Sequence, residues 1–166
     1  MLLDLRSPNP VRTALLVPVV VVGLLTATHA ARAADDAAFV EYRQKVMSAV
    51  GANMGAISDI LKNGLPFTGN IEQHAENLEG NAKLIASAFE KKITSGSTDA
   101  KPEIWQDWPK FEKAIRDFEE AASALEKAAD GGDMAQVGAK VKALGKSCGG
   151  CHKAFRKPKE ESYKRK

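Results

Sequence analysis

The sequence predicts an all-α fold, an antiparallel four-helix bundle, and three observations carry that prediction. Four stretches bring apolar residues back in steps of three and four. The connections between them are short and marked by Gly, Pro and polar residues. No stretch alternates polar with apolar as a half-buried strand would. Four stripes with a period near 3.5 suit coiled-coil-like packing. Each helix would be about 35 Å long at 1.5 Å per residue. Roughly seven inward positions per helix, at about 1.5 to 3 kcal/mol for each large side chain, offset chain entropy without a structural disulfide.

The first helix is expected to start at Asp35 or Asp36 as N-cap. It carries Met47, Val50, Met54, Ile57 and Leu61 and ends at "NGLP", where Gly64 and Pro66 break a helix. The second begins at Asn70, which forms a capping-box signature with Gln73. Its stripe is Ile71, Ala75, Leu78, Ala82, Ile85, Phe89 and Ile93, before the polar exit "TSGSTD". The third carries Trp108, Phe111, Ile115, Phe118, Ala122, Leu125 and Ala129 before "DGGD". A start near Pro102 would be distorted at Pro109, so its beginning stays open. In the fourth, Asp133 and Gln136 repeat the capping signature. Val137, Val141, Leu144, Cys148, Cys151 and Phe155 line one face before Pro158, which puts both cysteines on the buried side.

Residues 1–33 read as a cleaved secretory signal: Arg6 and Arg12, an apolar run from Ala14 to about Ala27, then "ATHAARAA". Cleavage is expected after Ala33, with Ala30 as a second candidate. The run is only about 14 residues long and contains Pro18, against the roughly 20 residues a spanning helix needs, so no membrane anchor is expected after cleavage. The remainder, residues 34–166, is long enough for one domain with a real core and too short for two. Losing Arg6, Arg12, Arg32 and Asp4 leaves 21 basic and 20 acidic side chains. With so little net charge and no dominant basic face expected, nucleic acid is an unsuitable partner.

The only two cysteines stand in "SCGGCHKAF", residues 147–155. Three chemistries use such a pair. A redox dithiol is expected at the start of a helix after a strand, where the helix dipole lowers the thiol pKa; Cys148 lies far into its helix. A closed zinc site needs four ligands, and beyond the signal the chain has two Cys and two His, with His74 on another helix. A covalent haem fits each feature. Thiols at i and i+3 share one helix face and can form thioethers to the two vinyl groups of a porphyrin, and His152, four residues after Cys148, lies beneath the same ring as the axial iron ligand. One haem c per chain is therefore expected, at Cys148 and Cys151 with iron on His152.

With these motifs the chain resembles the class II c-type cytochromes, which comprise cytochrome c′ and the low-spin cytochrome c-556. The resemblance rests on "YRQKVMSAVGANM" in the first helix, "PEIWQDWPKFE" before the third and "LGKSCGGCHKAFR" near the end. It implies the same bundle with haem near one end, between the last helix and the first. It also bears on the sixth iron position. Relatives lacking a sixth ligand share Tyr-Arg-Gln but carry a non-ligand four residues after the Arg, where this chain has Met47. A Met on an apolar helix face is otherwise core filler, as Met54 and Met134 are expected to be, with Met54 packing on the porphyrin.

Arg43, four residues before Met47, and Arg156, four after His152, are candidates for the haem edge, since guanidinium pairs with carboxylates; Arg156 also matches the family's Cys-His-x-x-Phe-Arg string. The tail "RKPKEESYKRK" reads first as a solvated, frayed end and second as a docking segment for an acidic redox partner. The function expected is that of a periplasmic carrier of single electrons, held six-coordinate by His152 and Met47 and exchanging electrons with redox partner proteins. The alternative is a five-coordinate protein that binds nitric oxide or carbon monoxide. No distal acid–base set indicates an enzyme. Look-alike proteins commonly dimerise through the first two helices, so a homodimer is a further expectation.

Overall fold

The computed structural model describes residues 19–165, with side chains from Asp35 onward, and Asp35–Lys166 form one compact unit. The expected signal, residues 1–33, lies outside the residues whose side chains are described. Five helices follow in order: α1, Val19–Asn63; α2, Asn70–Phe89; α3, Glu103–Gln106; α4, Trp108–Asp130; and α5, Met134–Phe155. The four long ones make the bundle. No strand occurs among the described residues, only a single antiparallel bridge between Ala100 and Arg156. No described helix is long and apolar enough to cross a membrane.

Several expected boundaries are corrected. Asp35 and Asp36 do not cap α1; the helix runs through them, because the alanine-rich approach offers no breaker. Both carboxylates pair with Lys91 instead, that of Asp36 at 2.8 Å. At its other end α1 stops as expected. Gly64 adopts φ +60°, and the Leu65 amide reaches back to the Ile60 carbonyl at 3.0 Å.

The Asn70/Gln73 box is absent, since Gly69 is the N-cap and Gln73 donates to Glu76. The preceding turn already takes the Asn70 and Ile71 amides onto the Phe67 and Thr68 carbonyls, leaving little for a capping side chain to satisfy. α2 ends at Phe89, four residues before Ile93, which is buried in the loop beyond it. The third predicted helix is two. Asp107, at φ −135° and ψ 66°, breaks the chain after α3 and accepts the Lys110 amide as N-cap of α4. Pro109 thus falls in the first turn, where a missing N–H costs nothing. Asp133 caps α5 as expected, accepting from the Ala135 and Gln136 amides, with the Gln136 amide group on its second oxygen.

Side-chain contacts fix the directions of the helices. Asn53 accepts from His74 at 2.9 Å, and Arg43 reaches the end of α2, so α1 and α2 run antiparallel. Phe111, near the start of α4, packs on Phe89 at the end of α2 and on Phe155 at the end of α5. One end of the bundle therefore gathers the Arg43 region of α1, the C-termini of α2 and α5 and the start of α4, and α1 runs antiparallel to α5.

Candidate haem site

The cysteines sit late in α5 on the face turned to the core, both half-buried and unbridged. Like Val141 and Ala154 of the same helix and Met47, Val50 and Met54 of α1, they are partly buried and packed against the core. Burial pushes the thiol of Cys148 up; burial and its neighbour push Cys151 up to about 11. Such thiols are neutral at pH 7, the opposite of an activated redox dithiol. His152 follows with an exposed side chain. The protein around its ring nevertheless lowers its pKa, and the charge of Arg156 adds to the effect. A neutral imidazole is the form that binds a metal.

The residues present fit a covalent haem. Two sulfurs and an imidazole nitrogen occupy one stretch of helix. The Cβ positions of Gly149 and Gly150 face open space, and Ser147 Oγ, one residue before Cys148, is buried with no hydrogen-bond partner among the described residues. Cys148 and Cys151 would hold the porphyrin and His152 its iron, which supplies one-electron chemistry and an axial site for small ligands.

The opposite wall follows from register. A Cβ on Gly145 would stand 4.0 Å from the Met54 methyl, so Met54 lies against α5 about one turn before Cys148. Because the helices are antiparallel, seven residues back along α1 match seven residues forward along α5. Met47 is therefore level with His152, and both are about two turns, or roughly 10 Å, from the Met54–Gly145 contact. The same register brings Arg43 level with Arg156. The structure thus brings the sequence-predicted site residues to one end of the bundle, with Met134 at the other, where it is exposed rather than core filler.

Both arginines have protein partners. Arg43 is buried, with 3% of its surface exposed. Its Nε donates to the Ala88 carbonyl at 2.9 Å, Nη1 to that of Ile93 at 3.1 Å and Nη2 to that of Lys91. Its guanidinium lies 5.0 Å from the Phe89 ring centroid and 5.1 Å from that of Trp105. Trp105 Nε1 donates to the Phe89 carbonyl at 2.7 Å. Arg43 therefore ties α1 to the exit of α2 four residues from Met47. Arg156 pairs with Asp99 at 3.4 Å.

The tail is not frayed, which corrects the sequence reading. It folds into two short 3-10 turns, Lys159–Glu161 and Tyr163–Arg165, and buries Ser162. Asp99 fastens it, accepting from Ser162 Oγ and the Tyr163 amide at 3.0 Å each. The expectation of no dominant basic face also fails. A groove of about 690 Å³ opens beside His152 among the end of α5, Lys101 and this tail; seven of its ten lining residues are Lys or Arg and none is acidic. The signal was available in the sequence. Residues 140–166 carry ten basic and two acidic side chains, a net +8, while residues 34–139 carry eleven and eighteen, a net −7. Total charge conceals that separation.

Comparison with known proteins agrees with this arrangement. The profile of the family described as Cytochrome C′ matches residues 38–156. Cytochrome c′ of Rhodospirillum rubrum is 40% identical over 133 residues, covering 80% of this chain and 90% of the relative. Cytochrome c-556 of Agrobacterium tumefaciens is 33% identical over 124 residues, 70% of this chain and 95% of the relative. A nitric oxide complex of a mutant cytochrome c prime from Alcaligenes xylosoxidans superposes with a TM-score of 0.67 at 31% identity, covering 75% of this chain and 97% of that one. The four-helix bundle, the Cys148–Cys151–His152 motif and these likenesses together place the chain in the cytochrome c′ family of class II c-type cytochromes, proteins that carry covalent haem c.

Proposed function

We propose that the chain is an exported, periplasmic haem protein that binds a small neutral gas, nitric oxide or carbon monoxide, opposite His152, with its iron five-coordinate at rest. The likeness to cytochrome c′ over the whole bundle, a nitric oxide complex among the similar structures, carries this reading. The α1 surface packed toward α5 at this end supports it. Met47 and Val50 are apolar and packed on the core, and suit an uncharged diatomic ligand. Polarity and steric access of the distal side decide what a haem iron binds. A homodimer belongs to the same proposal.

One observation favours a second reading, electron carriage by a six-coordinate iron. Met47 is level with His152, its thioether is a soft ligand suited to haem iron, and cytochrome c-556 is among the relatives. Titrating the ferrous protein with carbon monoxide tests the proposal. A saturable change in the optical spectrum, complete at a stoichiometry of one per haem, is the expected result. An unchanged spectrum under excess gas would leave electron carriage as the function.

A further inference from the structure

We infer that the basic groove beside His152 is the surface through which electrons enter, and that its occupant is the acidic face of a one-electron donor protein. The inference rests on the haem at Cys148, Cys151 and His152 and is independent of gas binding. With haem held by Cys148, Cys151 and His152, the donor would lose one electron and the ferric iron would gain it, with no bond or proton exchanged.

The lining has more positive charge than either ligand of this site can use. A neutral gas needs none, and the two carboxylates of a haem would engage two cations at most, against seven in the groove. Three of the seven are tied down. Lys101 and Lys157 donate through their ammonium groups to the Ala154 and Thr98 carbonyls, and Arg156 pairs with Asp99. The other four, Lys153, Lys159, Lys164 and Arg165, make no salt bridge among the described residues.

Like charges so gathered repel, and a lysine-rich terminus ordinarily frays. Here Asp99, with the Ser162, Tyr163 and Arg156 bonds, holds the tail folded on the bundle. The fold thus keeps the cations assembled next to the one axial ligand that reaches the surface. The net −7 of residues 34–139 completes a charge dipole that turns this end toward a negative partner. It also disfavours a long polyanion such as nucleic acid, which would lie along the negative body as well. A concave groove suits a protruding acidic protein surface better than a flat lipid layer.

The test is stopped-flow reduction of the haem-loaded ferric protein by reduced plant-type ferredoxin, an acidic one-electron donor. The variants are a groove triple, Lys159→Glu, Lys164→Glu and Arg165→Glu, and a control triple, Lys62→Glu, Lys83→Glu and Lys127→Glu. All six positions are exposed, and both triples change the net charge equally. At low salt the groove triple should slow reduction by about tenfold and the control by less than about twofold, the difference closing as salt screens it. A neutral triple, Lys159→Gln, Lys164→Gln and Arg165→Gln, should fall between and covers failure of the charge reversal to fold.

Equal slowing in both triples, or none in either, would overturn the inference. So would binding of wild type but not the groove triple to phosphatidylglycerol vesicles with reduction rates unchanged, because the occupant would then be a lipid headgroup. Carbon monoxide binding is expected to be equal in all variants, which keeps this outcome separate from that of the gas-binding proposal.

Discussion

Replacing Cys148 and Cys151 together by Ala is expected to abolish covalent haem. Each attachment adds a thiol S–H across a porphyrin vinyl double bond, and alanine has no sulfur to add. Acid–acetone extraction of the exported double variant should release all pigment, whereas wild type keeps its pigment with the protein. Each single variant retains one cysteine and can form one thioether. The raised thiol pKa values support this chemistry over dithiol exchange, since neither sulfur is an activated thiolate at neutral pH. Both cysteines are partly buried and packed against the core, so the same variant should also lose helical circular dichroism. A ligand bound only by the native state stabilises that state, and a covalent haem would do so here. Pigment that survived extraction from the double variant would exclude the thioether assignment.

Met47→Ala should raise carbon monoxide affinity at least about tenfold, equivalent to about 1.4 kcal/mol. Register puts Met47 level with His152, on the opposite helix, and truncation removes the largest side chain there. The site is half-buried, so the stability cost should be about 1 to 3 kcal/mol, at the low end for Met→Ala in a core and within the margin of a folded domain. Met54→Ala is the control. Met54 lies two turns away against Gly145, and its removal should change stability with little effect on gas affinity. An affinity unaltered in Met47→Ala would place this residue away from the distal face.

The bundle was legible because its signals repeat. Stripes such as Ile71, Ala75, Leu78, Ala82 and Ile85 recur once per turn, and each of these residues is buried in the structure. Cys148, Cys151 and His152 were legible because one helical turn suffices to place them. Boundaries were less so. An aspartate before an apolar run is a cap only if the helix does not continue behind it, and at Asp35 it does. Asp107 was passed over although Pro109 two residues later marked the true start of α4.

The parts of the site that depend on distant segments left no local signal. Arg43 binds carbonyls 45 to 50 residues away, and Asp99 binds a tail more than 55 residues on. Neither is spaced like a motif. The charge separation could have been read, but only by summing the chain in parts.

Electron paramagnetic resonance of the ferric wild-type protein tests the central claim most directly, because it reports whether a sixth ligand holds the iron. A five-coordinate, gas-accessible haem on His152 predicts a high-spin signal. A purely low-spin signal would contradict the account and, if Met47→Ala converted it to high-spin, would assign Met47 as the sixth ligand and electron carriage as the function.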